Sequence, residues 1–296
     1  MNLQQLRQLV ALAETLNFHR AAEKLNMSQP PLSISLAKLE KELGVQLFMR
    51  DRRQVELTAA GTAALPHAVR ALFHIEQVKA AVAESVLGST GCLRVGFVGS
   101  ATYSLLPKLL RGFRSEYPSI DLALEESWTT ALLQKLTQRE IDVALIRTPV
   151  LENFEAEIHV LERDSFIAAV PSPGPFADRS SIDIRELRDV PLIAHPLTKV
   201  PNMRALMMLM CREAGFQPNV VQEAIQAQTM ISLVQCGIGV ALVAGVTSQY
   251  SAANVKFLEI TGSAHANRIG LAVALPIDRR SRIAERFLEF AVSLET

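Results

Sequence analysis

Ser28, Gln29 and Ser33 flank a pair of prolines, Arg50 and Arg53 enclose a charged turn, and Ser100, Thr102, Thr129 and Thr130 follow apolar runs. Hydroxyls, amides and guanidinium groups of this kind hold anions by donating to phosphate or carboxylate oxygens. Side chains for covalent chemistry do not assemble in the same way. The chain contains no HExxH, GxSxG or P-loop motif, its acids are spread without a recognisable pair, and His159, His195 and His265 lack a companion Ser or Cys motif. Cys92, Cys211 and Cys236 are odd in number and widely spaced, which fits neither a disulfide framework nor a zinc ligand set. Each reads as a buried, inert, reduced thiol. No catalytic residue, metal ligand or cofactor is therefore expected. In VGFVGSA a glycine-rich turn follows a strand, but Gly96 and Gly99 do not make GxGxxG, and Gly96 falls inside the strand.

Thirty basic and thirty acidic residues cancel over 296 positions, so attraction to nucleic acid has to come from a local patch. The first residues, MNLQQLRQLVALAE, are amphipathic and unlike a secretory signal. No run approaches the ~20 apolar residues of a membrane helix. A cytoplasmic protein without membrane contact is the expectation.

The elements that would position the first group are short helices. Leu6, Leu9, Val10 and Ala13 give one apolar face, and Ala21, Ala22 and Leu25 supply its partner. The second helix stops near Asn26. Ser28 then stands as an N-cap with Pro30 and Pro31 in the first turn, where missing N–H groups cost nothing. The third helix carries the stripe Leu32, Leu36, Leu39 and Leu43, presents Ser33, Ser35 and Lys38 opposite, and ends at Gly44. The prolines thus belong to the tight turn of a helix-turn-helix, whose second helix can enter a DNA major groove N-terminus first. A plain three-helix core with polar caps fits the same periodicity. VQLFMRDRRQVELT adds a two-stranded wing with a basic tip.

The run FHRAAEKLNMSQPPLSISLAKLEKELGVQLFMRDRRQVELTAAG closely resembles the winged helix-turn-helix domain of the LysR-type transcriptional regulators, and the order of the later elements agrees over the whole chain. By position, the resemblance implies DNA contacts from Gln29, Pro30 and Ser33, with Ser28 beside them, and from Arg50 and Arg53 at the wing. The position after Ser33, often Arg in the family, is Ile34 here.

Thr58 caps a further helical pattern with apolar residues from Leu65 to Val86, interrupted by Pro66, which should kink it or loosen one turn. So long a stripe cannot be buried on the small winged domain; a second copy is the economical partner, and docking on the chain's own C-terminal domain is the alternative. His67 and His74 read as solvated surface. The resemblance implies a homodimer through this helix, a homotetramer of two dimers, and RNA polymerase as a further partner.

From Leu93 the pattern alternates strand and helix, which predicts α/β units with a parallel sheet. Ser100 to Thr102 and Thr129 to Thr130 lie in loops after strands, each at a helix N-terminus, and Asn202 opens a third helix. A helix cap accounts for each singly; three such termini around one cleft suggest an anion site. Arg147 ends the third strand and is consistent with a carboxylate partner or with a surface ion pair. Trp128 adjoins this cleft. The resemblance places the effector pocket on Ser100, Thr129, Asn202, Met203 and Thr229, with Ala244 where relatives often carry proline.

The fold class expected is α+β multidomain: a winged helix-turn-helix over residues 1–58, a linker helix over 59–88, and a two-lobed α/β effector domain over 89–296 similar to periplasmic-binding proteins. Lobe I would take about 92–163 and 268–296, and lobe II about 164–267. The function expected is a regulator that binds double-stranded DNA at an interrupted inverted repeat and responds to a small organic anion, such as a carboxylate. An effector-independent DNA-binding protein and a cytosolic α/β enzyme with a helical appendage are the competing readings.

Overall fold

The computed structural model describes residues 1–50, 55–87, 91–250, 252–278 and 280–294. The chain divides into two compact units, Met1–Gly88 and Ser89–Thr296.

In the first unit, α1 (Leu3–Thr15) opens with a capping box: Gln5 N donates to Asn2 Oδ1, and Asn2 N donates to Gln5 Oε1, both at 2.9 Å. Helix α2 (Phe18–Lys24) starts from Asn17, whose side chain accepts from His19 and Arg20. Helix α3 (Gln29–Leu43) begins after Ser28 with proline in its first turn and ends at Gly44, whose φ of +70° is the left-handed conformation that favours glycine. Ser28 occupies the cap position without a side-chain capping bond. Leu32, Leu36 and Leu39 are fully buried against Leu9, Leu12, Ala21 and Ala22. Leu43 is not part of that stripe; it is 46 % exposed, because the last turn of α3 runs past the edge of the small core.

The wing is an antiparallel pair, β1 (Phe48–Arg50) and β2 (Val55–Leu57), with Phe48 opposite Leu57. Glu40 ties it to α3: its Oε1 accepts from the backbone N–H groups of Leu47 and Phe48 at 2.9 and 3.1 Å. Thr58 then caps α4 (Ala59–Leu87) by accepting from Gly61 N at 3.0 Å. The helix continues through Pro66 without a break.

The second unit is built from two sheets. The chain lays down β3 (Gly91–Phe97), α5 (Leu105–Glu116), β4 (Ile120–Glu126), α6 (Thr129–Thr137), β5 (Val143–Thr148) and β6 (Ala156–Asp164). It then crosses through Ser165 into β7 (Phe166–Pro171), β8 (Ser181–Asp183), β9 (Pro191–Ala194), α7 (Pro201–Glu213), β10 (Asn219–Glu223), α8 (Ala227–Gln235), β11 (Val240–Ala244) and β12 (Val255–Thr261). It returns with β13 (Ile269–Pro276) and α9 (Arg282–Ser293). The first sheet has the order β4-β3-β5-β13-β6 and the second β10-β9-β11-β7-β12-β8.

Neither sheet is wholly parallel, contrary to the sequence expectation. Strand β13 runs antiparallel to both β5 and β6, and β7 antiparallel to both β11 and β12. The antiparallel strands are the two that enter their sheet from the other lobe: β7 follows β6 through Ser165, and β13 returns after β12. Lobe I packs α5 and α9 on its sheet through Leu109, Phe113 and Phe287. Lobe II buries both sheet faces, one under Met207 and Met210 of α7, the other under Met230 and Val234 of α8.

Candidate functional site

Two surfaces collect the anion-holding groups. On the first, Ser28, Gln29 and Pro30 are exposed at the leading end of α3, and Ser33 is partly exposed one turn on. The buried leucines hold this helix from behind, which leaves its opposite face outward. Arg50 closes β1, but its side chain, like all of Arg53, lies outside the described residues.

The second is a cleft between the lobes of the C-terminal unit. Its cavity is small, about 60 Å³. Its polar end is formed by Ser100, Thr129 and Arg147, and its walls by Val98, Trp128, Val200, Met203, Ile225 and Ala244. Three helices start at this cavity: α6 after Trp128, α7 after Val200 and α8 after Gln226, and none has a side-chain cap on its first turn. Their leading N–H groups have no intrahelical partner and carry the positive end of each helix dipole. The convergence differs from the one read in the sequence. Ser100 lies in a single 3-10 turn, Gly99–Tyr103, ahead of α5, and the third terminus belongs to α8 instead.

Arg147 is the centre of the polar network. Its guanidinium donates to Asp164 Oδ2 at 2.7 Å and to Ser100 Oγ at 2.8 Å, and only 4 % of the residue is exposed. It is thus neither a surface ion pair nor an unpaired cation awaiting a ligand. Burial pulls its pKa below the ordinary value, and the Asp164 carboxylate opposes that shift. Its backbone is also held: Arg147 N donates to Thr129 Oγ1 at 3.1 Å, and Asn202 Nδ2 donates to its carbonyl at 3.0 Å. Asn202 thereby joins α7 in lobe II to β5 in lobe I, and its buried Oδ1 has no hydrogen-bond partner among the described residues.

Further contacts cross the mouth. Gln226 donates to Glu126 at 2.7 Å, and Lys199 Nζ sits 5.0 Å from the centre of the Trp128 ring. A Cβ at Gly99 would meet Gln226 Oε1 and Glu126 Oε1 at 2.6 Å, so a larger residue there would push these two side-chain ends aside. His195 also lines the cavity, with Nδ1 at 3.2 Å from the Ala224 carbonyl oxygen. Burial lowers its pKa to about 4, with Arg147 and Arg204 adding to the shift, so the imidazole is neutral near pH 7.

Of the residues singled out in the sequence, Ser100, Thr129, Arg147 and Met203 line the cavity, and Asn202 braces it from behind. Thr102 lies outside it, in a polar recess with Glu126 and Gln228, and donates to the Gly99 carbonyl. Thr229 faces solvent on the first turn of α8, outside the lining. Cys92 and Cys236 are exposed rather than buried; Cys211 alone is in the core. His195 and Gln226 were missed because they reach the cavity only where the lobes meet, and Asp164 because it comes near Arg147 only through β13, which pairs with both β5 and β6. No helix of the described residues is long and apolar enough to cross a membrane, and none of their His, Cys, Asp and Glu side chains cluster as a metal site would require.

Comparison with known proteins agrees with this division. The model of bacterial regulatory helix-turn-helix proteins of the lysR family matches residues 3–62, and that of the LysR substrate-binding domain matches residues 88–294. The HTH-type transcriptional regulator AlsR of Bacillus subtilis is 39 % identical over 243 residues, covering 82 % of this chain and 80 % of that protein. The Hca operon transcriptional activator HcaR of Escherichia coli is 35 % identical over 89 % of this chain and 88 % of its own length. Full-length CbnR, solved in complex with its target DNA, superposes with a TM-score of 0.83 at 25 % identity, covering 99 % of both chains. With a helix-turn-helix at one end, a two-lobed substrate-binding domain at the other, and relatives named as regulators rather than enzymes, the chain belongs to the LysR family of DNA-binding transcriptional regulators.

Proposed function

We propose that this regulator responds to a small organic carboxylate held between its lobes. The observation that carries this reading is the meeting of three uncapped helix N-termini with the Ser100 and Thr129 hydroxyls around one largely apolar cavity. Such a site offers donors and partial positive charge to one end of a ligand and a hydrocarbon wall to the other. Arg147 serves mainly to position these groups, since Asp164 already balances its charge. The effector-binding domain of BenM, solved with its effector benzoate, shares the fold (TM-score 0.60, 21 % identity), which is in keeping with a carboxylate ligand here.

Ser28, Gln29, Pro30 and Ser33 are the proposed contacts to the DNA grooves and phosphates, with Arg50 and Arg53 on the flanking backbone. The exposed Val69 and Val78 of α4 fit a homodimer through that helix, and two dimers would make a tetramer spanning an interrupted inverted repeat. A cytoplasmic setting and contact with RNA polymerase complete the proposal. Ligand acts by shifting the balance between arrangements of the oligomer, in proportion to its differential affinity for them.

The test is thermal unfolding of the full chain with acetate, pyruvate and benzoate, each against its uncharged amide. A ligand bound only to the native state stabilises it by about 3 kcal/mol at a hundred times its Kd. At least one acid should raise the Tm while its amide does not. Thr129→Val should remove that shift and leave DNA binding intact. Equal shifts from acids and amides, or a Thr129→Val protein that still responds, would contradict the proposal.

A further inference from the structure

Two spaces meet at Gly99. The inner one is the cavity between the lobes, about 60 Å³, with the Ser100 and Thr129 hydroxyls and the helix starts at its polar end. The outer one is the recess beside Thr102, Tyr103 and Gln228, about 100 Å³. Gln226 stands between them. It lines both, and its Nε2 donates to Glu126 Oε1, on the wall of the outer recess, at 2.7 Å. The ends of both side chains lie over Gly99, where an added Cβ would meet either at 2.6 Å. This bond runs from the end of β4 in lobe I to the start of α8 in lobe II. Folding gives no other reason for the pair. Neither side chain belongs to the apolar core of its lobe, and Gln226 makes no side-chain capping bond on α8.

Volume then limits what the inner cavity can hold. A cavity of about 150 Å³ takes a benzene ring, and each water-sized group needs roughly 10–15 Å³. The space inside Gln226 therefore has room for about four to six non-hydrogen atoms, the size of acetate or pyruvate and short of an aromatic acid. Joined to the outer recess, it would reach the size that holds a ring. Resting on the carboxylate reading, we infer that the hydrogen bond between Gln226 and Glu126 sets an upper limit on effector size. Closed, it restricts the site to carboxylates of two or three carbons. Without it, longer and aromatic acids extend into the recess.

The test is thermal unfolding of the full chain with acetate, pyruvate, hexanoate and benzoate at matched ionic strength, each against its amide. It is run on the unaltered protein, on Gln226→Ala and on Glu126→Ala. An apolar pocket discriminates by roughly tenfold or more for one methylene. The unaltered protein should therefore respond to acetate or pyruvate at concentrations at least about tenfold below those needed for hexanoate and benzoate. In either variant that gap should narrow to within about twofold, because the longer acids gain room that the short ones do not use. Hexanoate or benzoate equal to acetate and pyruvate in the unaltered protein would overturn the inference, whatever the variants do. A gap that persists at full size in both variants would overturn it as well, since another part of the wall would then set the limit. No shift from any acid would remove the carboxylate reading and this inference with it. Equal shifts from short acids and their amides, with the longer compounds still excluded, would uphold the size limit and overturn only the requirement for charge.

Discussion

His195 shows how far the cleft departs from the water around it. Its imidazole is buried beside Arg147, and its pKa falls from 6.5 to about 4, chiefly through desolvation. In the unfolded chain the same group takes up a proton near pH 6.5. Between these two values the unfolded state binds more protons than the native one, so stability rises with pH across that window. The contribution of His195 is complete above about 6.5 and is lost progressively as pH falls towards 4, amounting to about 3 kcal/mol over the whole span. Urea titrations at pH 7, 6 and 5 should show that loss, and His195→Gln, which cannot take up the proton, should flatten it. An identical pH profile in the two proteins would mean that His195 is not buried as described. Little of this was legible in the sequence. Ser100 and Thr129 could be found because each follows an apolar strand run, a local signal. His195 and Gln226 had none, since they reach the cavity only through the closing of lobe II on lobe I.

At the scale of elements, the helix-turn-helix was the most legible part of the chain. Ser28, Pro30, Pro31 and Gly44 punctuate α3 within the chain itself, and three leucines at helical spacing specify its buried face. Leu43 misled because periodicity carries no information on where a core ends. Strands β6 and β7 were hard to see for another reason: their register is set by β13 and β11, which are remote in sequence, as in the pairing of Pro276 with Ala156. The junction of wing and α4 is a contact of the same hidden kind. A Cβ on Gly61 would stand 2.1 Å from the Leu47 carbonyl oxygen, a backbone atom that cannot swing aside. Helix propensity alone would favour Gly61→Ala by ~1 kcal/mol. The contact reverses that sign, and Gly61→Ala should lower the Tm of the full chain and weaken DNA binding by displacing the wing. A stabilised Gly61→Ala protein with unchanged DNA affinity would show that α4 and the wing are not in contact at this point.

At the scale of the whole molecule, the chain joins a reader of DNA to a two-lobed receiver. Contacts tie the two lobes of the receiver together: Asn202 donates to the Arg147 carbonyl across the interface, and Gln226 donates to Glu126 at the mouth. Asp164, at the end of β6 where the chain crosses to lobe II, holds Arg147 at the polar end of the cleft. The near-zero net charge of the chain means that affinity for DNA has to come from a local surface rather than from a global field. The most direct test of this account is a nuclease footprint of the purified full chain on the DNA immediately upstream of its own gene, at low salt and again at about 0.15 M salt. A regulator of this kind should protect segments whose centres are separated by multiples of about 10 base pairs, on one face of the duplex, at both salt concentrations. Absence of any protected segment even at low salt, where non-specific phosphate contacts are strongest, would contradict it.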